Sequence, residues 1–86
     1  MKIKLNKIGT RPRNYDAVVW FPELEETFPV GKVINAKEEL KVSHAYYRIE
    51  YRNGDRAYAM SLKEVRRIIE NDIIVTLERA RKAGDF

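Results

Sequence analysis

Apolar and polar residues alternate from the start of the chain. Across residues 2–8, Ile3, Leu5 and Lys7 fall on one side and Lys2, Lys4, Asn6 and Ile8 on the other. A period of two over this length predicts a half-buried strand. Gly9, Pro12 and Asn14 then mark residues 9–14 as a turn or loop. The apolar run at 15–21 is rich in β-branched and aromatic residues and predicts a buried strand. Pro22 lacks the N–H that a ladder needs, so this strand is expected to end there. Residues 22–32 hold Pro22, Pro29, Gly31 and three glutamates, and read as a loop or a single helical turn. Residues 32–35 fit a short strand and residues 36–40 fit a helix, the weakest pattern in the chain.

The strongest local signal spans residues 45–60. Asn53-Gly54 stands between two alternating runs, and both residue types tolerate the positive φ of a tight hairpin turn. A two-residue loop pairs Arg52 with Asp55, Tyr51 with Arg56, Ile49 with Tyr58 and Tyr47 with Met60. That register puts Tyr47, Ile49, Tyr51, Tyr58 and Met60 on a core face. Tyr46, Arg48, Glu50, Arg52, Asp55, Ala57 and Ala59 fall on the opposite one. Ser61 and Glu64 then form a capping box, in which each side chain satisfies a free backbone N–H of the first helical turn. Leu62, Val65, Ile68 and Ile69 follow at helical spacing. The hairpin therefore leads into a helix, which is expected to lie on the Tyr47, Ile49, Tyr58 and Met60 face. One helix to about Ala83, or two divided at Asn71-Asp72, both fit. Residues 73–76 also fit a strand. Gly84 suits a helix C-terminus.

The predicted fold is α+β in a single domain, residues 1–86. A small antiparallel sheet of three to five strands, open or barrel-like, ends in the Asn-Gly hairpin, with one or two C-terminal helices packed on it. No apolar run reaches the length of a membrane span, and the lysine-interrupted N-terminus does not read as a signal peptide. The chain has no cysteine, which removes disulfides and thiolate ligands and fits a reducing cytosol. A cytoplasmic protein with no membrane association is expected.

Charge changes the picture more than composition does. The net charge is +4. Lys2, Lys4, Lys7, Arg11 and Arg13 all lie in the first fourteen residues, where there is no acid. Asp16, Glu23, Glu25 and Glu26 follow in residues 15–30, where there is no base. The remainder is nearly balanced.

Catalytic parts are scarce. There is one histidine, His44, which reads as a surface or loop residue. The four glycines are scattered, so no phosphate-cradling loop appears. Ser61 is accounted for by capping. No cofactor, metal or enzyme activity is expected. The first functional expectation is a nucleic-acid-binding accessory protein. Lys2, Lys4, Arg11 and Arg13 would contact phosphates, assisted by Tyr46, Arg48 and Arg52 on the hairpin. A second is a small protein-binding regulator or inhibitor that blocks a partner through Trp20 and Phe21 beside Glu23, Glu25 and Glu26. A third is a structural protein that forms a homodimer by a strand edge or the C-terminal helix.

Overall fold

The structure, a computed structural model, describes residues 1–9, 14–36 and 46–84. Its elements in chain order are β1 (Lys2–Lys7), β2 (Tyr15–Phe21), β3 (Glu26–Asn35), β4 (Tyr47–Tyr51), β5 (Arg56–Ala59) and α1 (Leu62–Lys82). The strands form one five-stranded antiparallel sheet in sequential order, β1 to β5. The fold is α+β, as the alternation followed by a capped helical stripe predicts. The predicted loop at 9–14 and helix at 36–40 fall largely outside the described residues, as do Arg11, Arg13 and His44.

The sheet extends further than the sequence pattern indicates. Residues 22–32 are not one loop: Pro22 to Glu25 make a tight turn, and β3 begins at Glu26. Pro29 and Gly31 read as strand breakers, yet each has a place. Pro29 lies in the part of β3 that pairs with β2 alone, beyond its pairing with β4, so its missing N–H costs no ladder bond on the far side. The register shifts between Ala17 and Val18, leaving Val30 as the extra residue of a bulge. Gly31 sits just past that bulge, opposite Tyr51, where β3 and β4 approach closely.

The β4–β5 hairpin forms with Asn53 and Gly54 in its turn, but its register is one residue away from the two-residue loop. Tyr47 pairs with Ala59, Ile49 with Ala57, Arg48 with Tyr58 and Glu50 with Arg56. The Tyr51 N–H donates to the Asp55 carbonyl at 2.9 Å and the Gly54 N–H to the Tyr51 carbonyl at 3.0 Å, closing a three-residue loop. The cause is local. A type I′ turn needs positive φ at both central residues, and here Gly54 alone adopts it, at 93°. Asn53 instead accepts the Asp55 N–H on its side-chain oxygen at 2.9 Å. The slip moves Tyr58 and Met60 off the core face, where they are 48% and 55% exposed. Ala57 and Ala59 take their place beneath the helix, and such small residues let it approach closely.

The core lies between the sheet and the first half of α1. Ile3, Ala17, Val19, Val33, Ile49 and Ala59 meet Val65 and Ile69, all buried. Half of the expected capping box forms: the Ser61 hydroxyl accepts the Glu64 N–H at 3.1 Å. A single helix runs through Asn71 and Asp72 to Lys82, so there is neither a second helix nor a strand at residues 73–76. Asp72 does not cap a new helix. Its carboxylate accepts the Tyr51 hydroxyl, tying α1 to the end of β4, and its carbonyl accepts the Thr76 hydroxyl within the helix. No described helix is long and apolar enough to cross a membrane.

Candidate nucleic-acid interface

Side chains on successive strand residues point to opposite faces. Because Ile3, Ala17, Val33, Ile49 and Ala59 face α1, their neighbours define an uncovered face. Lys2 and Lys4 project there from β1, Asp16, Val18 and Trp20 from β2, and Lys32 and Ile34 from β3. Arg48 and Glu50 project from β4, and Arg56 and Tyr58 from β5. Tyr46, two residues before Arg48, continues the β4 alternation and is 40% exposed. Arg52 stands at the rim. With Asp16, Val18, Pro29, Lys32 and Glu50 it lines a shallow open depression of about 620 Å³ at the bulge. Among the described residues the open face and its rim thus carry six basic residues against two acids, Asp16 and Glu50.

The charges are not evenly spread. Cross-strand pairing aligns Asp16 with Lys32, Lys32 with Glu50 and Glu50 with Arg56, so this central row alternates in sign. Glu50 also lies 3.6 Å from Arg48 and 3.9 Å from Arg56. Arg48 and Glu50 lie on the same strand, whereas Glu50–Arg56 spans β4 and β5; such partly exposed pairs bring a small energetic gain. Two corners flank the row, the second sharing Glu50 with it through Arg48. In one, Lys2 is paired with Trp20, and the Lys4 ammonium stands 5.6 Å from the Trp20 ring centroid, a cation–π contact. In the other, Arg48 lies between Ile34 and Tyr58, with Tyr46 alongside on β4.

The expected nucleic-acid residues are therefore partly gathered. Lys2, Lys4, Tyr46, Arg48 and Arg52 share one face or its rim, whereas Arg11 and Arg13 lie outside the described residues. Sequence reasoning missed Arg56, Tyr58, Lys32 and the placement of Trp20 beside Lys4. The two-residue register puts Tyr58 and Arg56 on the core face, and the protein-binding reading takes Trp20 together with Phe21. The sequence signal available for the first two is a three-residue loop with glycine in its last position, the other common hairpin turn.

The alternative protein-binding set is divided by the sheet. Trp20 lies on the open face and Phe21 on the inner face, where it stacks edge-on against Phe28 with centroids 5.8 Å apart. Glu23, Glu25 and Glu26 are exposed at the β2–β3 turn, beside Leu24, which is 60% exposed. Among the described residues no group of three His, Cys, Asp or Glu side chains is placed to hold a metal ion. Comparison of the chain with models of known families, with curated proteins and with solved structures finds no match.

Proposed function

We infer that this protein is a non-enzymatic nucleic-acid-binding accessory protein that carries an extended single strand across the open face of its sheet. One observation supports this above the others: cations and exposed aromatic side chains share the face that the helix leaves uncovered. Phosphates meet Lys2, Lys4, Arg48 and Arg52, and bases stack on Trp20, Tyr46 and Tyr58. Trp20 and Tyr58 are separated by three strand spacings and about six residues of rise, roughly 25 Å along the sheet. A ligand touching both corners must be extended, as a single-stranded polymer is and a small metabolite is not. Arg11 and Arg13, in the β1–β2 connection, add phosphate contacts in the same reading.

Fluorescence anisotropy of labelled single-stranded DNA, duplex DNA and RNA, at low and near-physiological salt, tests this. Binding that persists near physiological salt and favours a single strand is expected. Replacing Lys2 and Lys4 with alanine should flatten the slope of log K against log salt by about 1.4, at about 0.7 per lost phosphate contact. Equal binding to all three polymers at low salt only, with no change in that variant, would refute the reading.

A further inference from the structure

The open face is not flat. The bulge opposite Ala17 and Val18 indents it, and the depression of about 620 Å³ lies there, between the two corners. Asp16 pairs directly with Lys32 across β2 and β3, and the next pair on this face is Val18 with Pro29. The depression therefore has an apolar floor and, about 7 Å along β2, a charged edge. Opposite charges balance that edge. Among the described residues, however, no hydrogen bond or close ion pair engages the Asp16 carboxylate or the Lys32 ammonium, and both residues are exposed. Glu50 differs, because Arg48 and Arg56 share it. The Arg52 N–H donates to the Val30 carbonyl at 3.2 Å, which fixes Arg52 at the rim beside the bulge.

A carboxylate beside an ammonium, at the edge of an apolar floor, discriminates among bases. An ionised carboxylate only accepts hydrogen bonds, through two oxygens, and an ammonium only donates them. The Watson–Crick edge of guanine presents the matching order: two adjacent donors, N2–H and N1–H, and then an acceptor, O6. Adenine and cytosine offer the carboxylate a single donor there. Thymine and uracil offer one donor between two acceptors. Residues paired directly across two strands hold their Cβ atoms about 5 Å apart, so one base edge reaches both Asp16 and Lys32. Asn6, paired with Asp16 from β1, both donates and accepts and so favours no base.

We propose that the depression is a base-selective subsite for guanine on the path of the single strand. The Asp16 carboxylate accepts from N1 and N2 and the Lys32 ammonium donates to O6. Val18 and Pro29 support the ring, and Arg52 meets the adjoining phosphate. The subsite rests on the single-strand reading of the open face and adds a sequence preference to it. Phosphate contacts and stacking at the corners do not supply one, since they position a strand without identifying its bases.

Fluorescence anisotropy with a labelled oligothymidine of about 11 nucleotides, its central base replaced by guanine, hypoxanthine, adenine or cytosine, reads the preference as a ratio of affinities. A single guanine per strand avoids four-stranded assemblies. The guanine strand should bind about tenfold more tightly than the all-thymine strand. Hypoxanthine lacks the N2 amine and should fall between them. Adenine, which controls for the larger purine ring, should bring no such gain, nor should cytosine. In Asp16→Asn, and separately in Lys32→Met, the guanine-to-thymine ratio should fall toward one. Taken within each variant, that ratio is insensitive to the change in net charge. Circular dichroism establishes that each variant is folded. Free guanosine monophosphate at matched concentration should not displace the guanine strand. Binding of all strands with no preference for guanine, or a preference that survives Asp16→Asn, overturns the subsite and leaves the single-strand reading standing. Displacement by the free nucleotide overturns the assignment of the base to a strand. Failure to bind any strand refutes the single-strand reading, and the subsite with it.

Discussion

Replacing Gly31 with alanine should cost a large part of the stability of this domain, and the structure sets the magnitude. A Cβ built at Gly31 falls 2.1 Å from the Glu50 carbonyl oxygen, 2.9 Å from Tyr51 Cα and 3.0 Å from Glu50 C. All three obstacles are backbone atoms, so no side chain can swing aside. Ordinary carbon–oxygen contacts begin at about 3.3 Å, so β3 and β4 must part by about 1 Å where they pair. Overpacking of this kind costs about 1–3 kcal/mol. Parting the strands also weakens neighbouring ladder bonds, at about 1 kcal/mol each. With the bonds on either side both weakened, about two in all, the sum is about 3–5 kcal/mol, out of roughly 4–13 kcal/mol expected for a domain of this length. Urea unfolding followed by Trp20 fluorescence measures it, with an unchanged m-value showing that the transition stays two-state. Gly84→Ala is the control. Gly84 also has positive φ, 78°, but nothing lies within 4 Å of its built Cβ, so strain alone should cost about 1–2 kcal/mol. If Gly31→Ala is no more destabilising than Gly84→Ala, the close approach of β3 and β4 is not what requires glycine there.

Ile69 has no exposed surface and joins α1 to the sheet. Ile69→Ala should cost about 2–5 kcal/mol in the same urea assay, and a loss below about 1 kcal/mol would mean that α1 is not packed as described. Tyr51 gives a pH dependence. Burial first, then the hydrogen bond and charge of Asp72, and the charge of Asp55, push its phenol well above the ordinary value of 10.0. The folded chain therefore keeps a proton that the unfolded chain releases above about pH 10, so this contribution is complete below that pH and declines as pH rises beyond it. Urea unfolding at about pH 9 and about pH 11 should show the advantage of wild type over Tyr51→Phe shrinking at the higher pH; a constant difference would contradict the tie to Asp72.

Much of this architecture was legible because period and punctuation agreed. β1, β2 and the start of α1 follow from alternation, a β-branched run and a capping box, all local signals. β3 was hidden by Pro29 and Gly31, residues that ordinarily end strands. Both are tolerated for reasons that exist only in the assembled sheet: an unpaired far edge for one and a close backbone approach for the other. The hairpin misled for a different reason. Matching large apolar residues across the turn favoured Tyr58 and Met60 as core. The helix instead rests on Ala57 and Ala59, and how closely two elements pack is not written in alternation. Part of the candidate site inherited that error, since Arg56 and Tyr58 reach the open face only in the observed register.

The register also decides what kind of ligand the open face suits. The alternating row from Asp16 through Lys32 and Glu50 to Arg56 satisfies itself across the strands, so it adds little net field. Arg48 shares Glu50 with Arg56, so attraction for a polyanion rests chiefly on Lys2 and Lys4 beside Trp20, with Arg48 beside Tyr46 and Tyr58 the weaker corner. Each corner pairs cations with aromatic surface; Tyr46 and Tyr58 are exposed, while Trp20 and Arg48 are half-buried. Contacts of this sort are individually weak and screened by salt. A compact anion reaches one corner only. A flexible polymer spans both, and its second contact forms at the high effective concentration set by the first. The self-neutralised row between the corners thus favours length in the ligand over charge density, which is the property that separates a nucleic-acid strand from a small phosphate.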